Sequence, residues 1–307
     1  MKNNVTVVLS IGMYLLSSIT SVFVNKHVLM EGAIDTVLLI FIQHLSCLIP
    51  LHIFKCYLTR EQKKDNIKGE ICSLYEGIKH MWKIIISFNF TLIFGNICLK
   101  YTNISSYQLA RSMTLPFNFL FSYFFFKQIK FTFMMIWACI LVSLGFFVFS
   151  VDAVNTNFRS VLYGTMVSII QAIHLNLLKQ KLMIYKNKTI MLYYNLIYSS
   201  TILFIYLFIT GDIMEIFNLS CHVYFYLTLS CISSIFVTFS SFLCIHYTDN
   251  VVFNMFGNVK STMQTFISKF YHAEELNVYT TIGILLTTFG SFIYTYSSEY
   301  TRKQKMS

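Results

Sequence analysis

Acidic residues are scarce in this chain, 13 Asp and Glu against 23 Lys and Arg in 307 positions, and charged residues of both signs make up only 12%. A soluble domain carries about 25%. Half that charge, with 56% hydrophobic residues and a mean hydropathy of +0.62, leaves too little polar surface for a globule in water. Proline is nearly absent, with 2 residues, so few positions interrupt a helix. The eight cysteines form no CxxC pair and the eight histidines no HExxH motif, which argues against a zinc site or a thiol-disulfide centre. The formal charge of +10 does not indicate nucleic acid, because that requires a basic face on a water-soluble fold. No cofactor motif is present.

What is abundant is long apolar sequence. A helix rising 1.5 Å per residue needs about 20 apolar residues to cross the hydrocarbon core, and ten acid-free windows of about that length occur: 5–24, 36–58, 81–101, 106–127, 131–151, 158–180, 190–210, 222–248, 251–271 and 277–298. The first begins close to Met1 without a charged n-region or a small-residue cleavage site, so no cleaved leader is expected. With the N-terminus in the cytosol, seventeen of the 23 basic residues fall on the cytosolic side, among them Lys55, Arg60, Lys179, Lys186, Arg302 and Lys303. Four fall opposite, Lys26, Lys100, Arg159 and Lys269. That asymmetry places both termini in the cytosol.

The halves resemble one another. Cys139-Ile-Leu-Val-Ser-Leu-Gly145 in span five parallels Ile284-Leu-Leu-Thr-Thr-Phe-Gly290 in span ten, and span four parallels span nine. The expected fold is an all-α integral membrane protein of ten transmembrane helices, two inverted five-helix repeats over 1–153 and 154–300, with a cytosolic tail at 301–307. An odd number of helices per repeat reverses the second unit in the membrane, an architecture typical of secondary transporters.

Inside the spans only positive charge is buried. All 13 acids lie in loops or at span edges, with none between Glu76 and Asp152, whereas Arg111 lies in span four and Lys260 in span nine. A charged Lys near the midplane costs about 2.5–3.5 kcal/mol on insertion scales, and a bound anion offsets that cost. Lys260 stands near mid-depth with Gly257 one turn earlier, where the absence of a side chain lets a ligand approach the backbone. Arg111 lies nearer one interface, and its guanidinium matches phosphate oxygens in pairs. Tyr193, Tyr194 and Asn195 at the start of span seven and Asn118 after Pro116 are candidates for reading a cargo, since aromatics stack bases and Asn pairs with base edges. An enzyme acting on lipid-linked phosphates would require acids, a metal cluster or an activated nucleophile, and no carboxylate lies in the spans.

Four stretches carry a resemblance to a family. They are Val22-Phe-Val-Asn25-Lys26; Cys98-Leu-Lys100-Tyr with Tyr107-Gln-Leu-Ala-Arg111-Ser112, Phe117-Asn118, Ser122-Tyr123 and Lys127-Gln128; Leu175-Asn176 with Lys181; and Gly257-Asn258-Val-Lys260 with Glu274-Glu275. Together they resemble the nucleotide-sugar transporters of the drug/metabolite transporter superfamily, most nearly the GDP-fucose transporters. Where related GDP-mannose carriers read F-Y-N-N, this chain reads Tyr193-Tyr194-Asn195-Leu196. The plastid sugar-phosphate carriers share a G-N-x-V-K type of motif in span nine.

The resemblance implies a non-enzymatic antiporter in a Golgi or ER membrane that exchanges a GDP-sugar, GDP-fucose by likeness, for GMP. Lys260 and Arg111 would bind the phosphates, helped by Gly257 and Asn258; Tyr193, Tyr194 and Asn195 would contact the base; Tyr107, Asn118 and Asn176 would complete the site. Carriage of another nucleotide sugar or of a sugar phosphate is the alternative. No cofactor and no nucleic acid partner is implied. The lipid bilayer is the surrounding partner, and a homodimer is compatible with the resemblance. Lys303-Gln-Lys305-Met-Ser has the K-x-K-x-x form of cytosolic retrieval signals.

Overall fold

The structure, a computed structural model, describes residues 2–31, 34–64, 74–125, 132–182, 188–247, 250–271 and 278–304. Lys127, Gln128, Glu274, Glu275 and Lys305 lie outside the described residues, and of Asn258 only the backbone is described. The described chain is helical: α1 (Lys2–Glu31), α2 (Thr36–Lys64), α3 (Leu74–Tyr101), α4 (Ile104–Ser112), α5 (Thr114–Phe124), α6 (Phe133–Leu182), α7 (Lys188–Thr210), α8 (Cys221–Tyr247), α9 (Asn250–Tyr271) and α10 (Val278–Gln304). A 3-10 turn, Asp212–Asn218, links α7 to α8. Gly211 opens it at φ +80°, a left-handed conformation in which a Cβ would be strained.

Eight segments are long and apolar enough to cross a membrane: Val8–Met30, Thr36–Ile53, Met81–Tyr101, Phe133–Ser150, Val161–Gln180, Met191–Thr210, Cys221–Ser241 and Val278–Ser298. Large apolar side chains cover their outer faces, with Phe133 72%, Phe147 65%, Phe208 72% and Ile209 78% exposed. In water such a surface would aggregate; in a bilayer it meets acyl chains.

Spans four and nine, expected at 106–127 and 251–271, are absent from that set. The first is broken at Met113 into α4 and α5. Pro116 has no N–H to give to the carbonyl of Ser112 four residues earlier, which releases the turn before it. Met113 N–H bonds instead to Ala110 O at 3.2 Å, a tighter i to i−3 closure. The expected continuous span is therefore two short helices. The second, α9, is a single 22-residue helix, but Asn254, Asn258, Lys260, Ser261 and Gln264 make it too polar to face lipid on all sides.

Expected spans five and six lie within one assigned helix of 50 residues, α6. Its two limbs nevertheless run in opposite directions along α4 and α5. On the first limb Phe119 packs with Met135 and Cys139, and Ala110 with Phe146 and Phe149. On the second, Ser168 Oγ donates to Ala110 O at 2.6 Å and Asn176 Nδ2 to Asn118 Oδ1 at 2.7 Å. A straight helix would hold Cys139 and Asn176 about 55 Å apart at 1.5 Å per residue; instead both flank the same turn of α5, so the chain reverses between Ser150 and Val161.

Helix pairs follow a pattern: α1 packs on α8, α3 on the second limb of α6, α2 on α7, α4 on α9, and the first limb of α6 on α10. The last seam is close backbone packing. A Cβ on Gly145 would meet Gly283 O, Leu286 Cβ and Thr287 Cγ2, each at 2.9 Å, and one on Gly290 would meet Ala138 O at 3.0 Å, Leu141 Cβ at 3.1 Å and Val142 Cγ2 at 2.8 Å. The two sets of neighbours are related by one shift of 145 positions, the shift that also relates Cys139–Gly145 to Ile284–Gly290.

At one end of the bundle polar residues tie four helices. Lys26 Nζ donates to Leu99 O at 2.7 Å and Thr102 O at 2.5 Å, satisfying carbonyls at the end of α3. Asn25 Oδ1 accepts from Gln43 Nε2 at 2.9 Å and Ser230 Oγ at 2.7 Å, joining α1 to α2 and α8.

A Cβ at Gly164 would lie 2.1 Å from the Cβ of Ala110, so Gly164→Ala is expected to destabilise by about 1–3 kcal/mol and to lower the detergent-solubilised unfolding temperature. Gly12→Ala, with nothing within 4 Å, should leave that temperature unchanged or slightly raised.

Candidate functional site

A cavity of about 370 Å³ opens between α4, α5, the second limb of α6, α9 and α10, with Tyr14 of α1 in its wall. The break in span four and the polar face of α9 both lie against it. Arg111, Ser112 and Thr114 flank the break, and Gly257, Lys260 and Ser261 come from α9. Irregular backbone and polar side chains at membrane depth are tolerated where they line a cavity. The two expected spans missing from the apolar set, one by its break and one by its polarity, are thus the two that supply the charges.

Both cations rest on tyrosines. Arg111 Nη1 donates to Tyr107 Oη at 3.1 Å, and its Cζ lies 5.4 Å from the centre of the same ring. Lys260 Nζ stands 5.6 Å from the ring centre of Tyr14. Cation–π contacts of this kind contribute about 0.5–2 kcal/mol, well below a full counter-charge. Among the described residues no Asp or Glu lines the cavity.

A buried amide chain holds the two charges in register. Gln108 Nε2 donates to Gln264 Oε1 at 2.6 Å, Ser261 Oγ donates to Gln108 Oε1 at 3.0 Å, and Gln264 Nε2 donates to Ser18 O at 3.0 Å. Gln108 precedes Arg111 by one turn of α4 and Gln264 follows Lys260 by one turn of α9. The chain therefore joins α4, α9 and α1 at the level of the charges.

Of the residues expected from sequence, Lys260, Arg111, Gly257 and Asn118 line the cavity. Gly257 faces open space where a Cβ would stand. Tyr107 and Asn176 stand behind the wall and orient residues in it. Tyr107 holds Arg111, and Asn176 donates to Asn118 Oδ1 and Ala172 O while accepting from Ser122 Oγ. Tyr193, Tyr194 and Asn195 lie on α7, which contributes nothing to the cavity wall among the described residues. Tyr193 Oη shares a 2.7 Å hydrogen bond with His52 Nδ1, Tyr194 stacks on Tyr198, and the buried Oδ1 of Asn195 has no hydrogen-bond partner. The side chain of Asn258 is outside the described residues.

Sequence reasoning missed Tyr14, Gln171 and the α10 face made by Thr287, Thr288, Ser291, Tyr294 and Thr295. The recurrence of hydroxyls at intervals of four along one apolar span was the available signal. Among the described residues no group of three His, Cys, Asp or Glu side chains could hold a metal ion.

No family model matches the chain. Three curated proteins illustrate its similarities. GDP-fucose transporter 1 of Dictyostelium discoideum is 28% identical over 208 residues, 66% of this chain and 56% of that protein. The Golgi GDP-fucose transporter of Drosophila melanogaster is 26% identical over 295 residues, 90% of this chain and 85% of the relative. The chain is thus similar to proteins named as nucleotide-sugar transporters. UDP-xylose transporter 3 of Arabidopsis thaliana, 24% identical over 224 residues, 69% of this chain and 61% of that protein, widens the set beyond one sugar nucleotide. The chain thus spans little more than half of the Dictyostelium protein and most of the Drosophila one. These relatives are transporters by name and not enzymes, and with eight apolar spans the chain is a multi-pass membrane protein.

Gln264→Leu would leave the buried Gln108 amide without its acceptor, an expected cost of about 1–3 kcal/mol read as a lower unfolding temperature. Gln108→Leu combined with Gln264→Leu should recover part of it, a non-additivity that a double-mutant cycle measures.

Proposed function

We propose that this chain is an antiporter that exchanges a GDP-sugar, GDP-fucose by its relatives, for GMP across a Golgi or ER membrane. The observation that carries the proposal is the pair Arg111 and Lys260 on facing helices of one cavity whose described wall contains no carboxylate. Two fixed cations without a counter-charge select an anionic cargo, and a diphosphate bridges both. An empty cavity holding two such charges reorients poorly, whereas either nucleotide neutralises it, so movement is coupled to occupancy and the transport is exchange.

In this reading the chain is two inverted five-helix repeats, 1–153 and 154–300, with both termini and the tail 301–307 in the cytosol. The reciprocal contacts of Gly145 and Gly290 support it. So does the pairing pattern, because spans two and seven, four and nine, and five and ten pair with each other, while the contact of spans one and eight is mirrored by that of six and three. Alternating access rocks the helices about the central cavity. Tyr107 orients Arg111 and Asn118 is steadied by Asn176, with Gly257 and Asn258 beside Lys260. Tyr193, Tyr194 and Asn195 contact the base when α7 closes on the cargo; the free Oδ1 of Asn195 accepts from a guanine N–H.

The test is uptake of labelled GDP-fucose into liposomes loaded with GMP, with GDP-mannose, a UDP-sugar and triose phosphate as competitors and empty liposomes as the control. Uptake is expected to require internal GMP, to be displaced by guanine nucleotides and to be lost in Lys260→Ala at unchanged unfolding temperature. Displacement by the UDP-sugar in preference to guanine nucleotides would reassign the base, as the UDP-xylose relatives suggest. Displacement by triose phosphate alone would move the chain to the sugar-phosphate carriers.

A further inference from the structure

The cavity holds more than two positive charges. Three of the hydroxyls on its α10 wall, those of Thr287, Ser291 and Thr295, are turned the same way, beside Thr288, which shares a hydrogen bond with Thr262, and the phenol of Tyr294. Thr287 Oγ1 donates to Ile284 O at 3.1 Å, Ser291 Oγ to Thr287 O at 2.7 Å, and Thr295 Oγ1 to Ser291 O at 2.8 Å. A hydroxyl carries one proton and two lone pairs, so with each proton turned back onto its own helix these residues offer acceptors and no donor. Such back-bonding is ordinary for Ser and Thr in membrane helices; here it occurs on residues that line a cavity.

Opposite, two polar atoms on residues of the wall are buried without a partner among the described residues: Gln171 Oε1, an acceptor, and Thr114 Oγ1, a hydroxyl that can donate or accept, on a residue only 9% exposed. Buried polar atoms in native folds are almost always paired. A phosphate cannot pair with the carbonyl oxygen of Gln171, since both are acceptors. The phosphates belong with the donor-only side chains of Arg111 and Lys260. The acceptors of Gln171, Thr287, Ser291 and Thr295 suit a cargo that brings its own O–H donors, and Thr287 to Thr295 extend over about 12 Å of helix at 1.5 Å per residue, long enough for a hydroxyl-bearing ring beyond the phosphates.

We infer that Gln171, with Thr287, Ser291 and Thr295 of α10, forms the acceptor wall that receives the hydroxyl groups of the cargo's sugar and so determines which sugar is carried. The inference rests on the exchanger reading above and goes beyond it by assigning the sugar's recognition to residues that no charge or motif marks. The cargo is thereby held in one orientation, phosphates on the donor side and sugar on the acceptor side.

The experiment compares wild type, Gln171→Leu and Ser291→Ala in proteoliposomes loaded with GMP, measuring KM for external GDP-fucose and for external GMP. In both variants the ratio of the first KM to the second is expected to rise roughly tenfold, the effect of one lost hydrogen bond. A ratio unchanged in both, whether the two KM values stay put or rise together, overturns the assignment, because a purely structural role or a contact with the ribose would affect both nucleotides. If Gln171→Leu does not fold, Ser291→Ala decides, since it removes a single oxygen. Wild type that exchanges neither nucleotide overturns the exchanger reading and this one with it; wild type that exchanges both, with an unmoved ratio in the variants, overturns this one alone.

Discussion

A positive charge held in a medium of low dielectric calls for a neutralising group, and among the described residues no Asp or Glu lines the cavity that holds Arg111 and Lys260. Arg111 and Lys260 each rest on a tyrosine ring, which softens the cost of desolvation without cancelling it. The rest of the interior is arranged around that constraint. Span four is interrupted beside the charge it carries, α9 is too polar to sit among lipid on all sides, and the Gln108–Gln264 bridge keeps both helices facing one space. Each of these would be a defect in a membrane protein built only for stability; together they frame one cavity lined by both charges.

Much of the fold could be read from sequence because lipid imposes simple rules. Eight apolar segments identify themselves by length and hydropathy. Spans four and nine were read as acid-free apolar windows like the others, but the break in one and the polar residues of the other keep them out of the eight. The division of span four at Met113 was latent in Pro116. The reversal between Ser150 and Val161 was expected from a second apolar window, although the helical assignment runs on through it.

The site was less evenly legible. Arg111 and Lys260 stand out because charge in a membrane is expensive, and Asn118 and Tyr107 because they share a stretch with Arg111. Thr287, Ser291 and Thr295 do not stand out, since a hydroxyl that bonds its own backbone is cheap in lipid and therefore common. Their role depends on which side of α10 meets the cavity, which sequence leaves open. The Asn25-Lys26 pair shows the reverse: a conspicuous polar dipeptide that serves to tie α1 to α2, α3 and α8.

That tie has a mechanical consequence. Lys26 and Asn25 bind α1, α2 and α3 to α8, while the seam of Gly145 and Gly283 binds the first limb of α6 to α10. Both groups draw helices from the two halves of the sequence, so the contacts that tie helices together run across the boundary between the halves. Severing the chain at its midpoint would split each group rather than separate one from the other, and neither fragment would carry a complete interior.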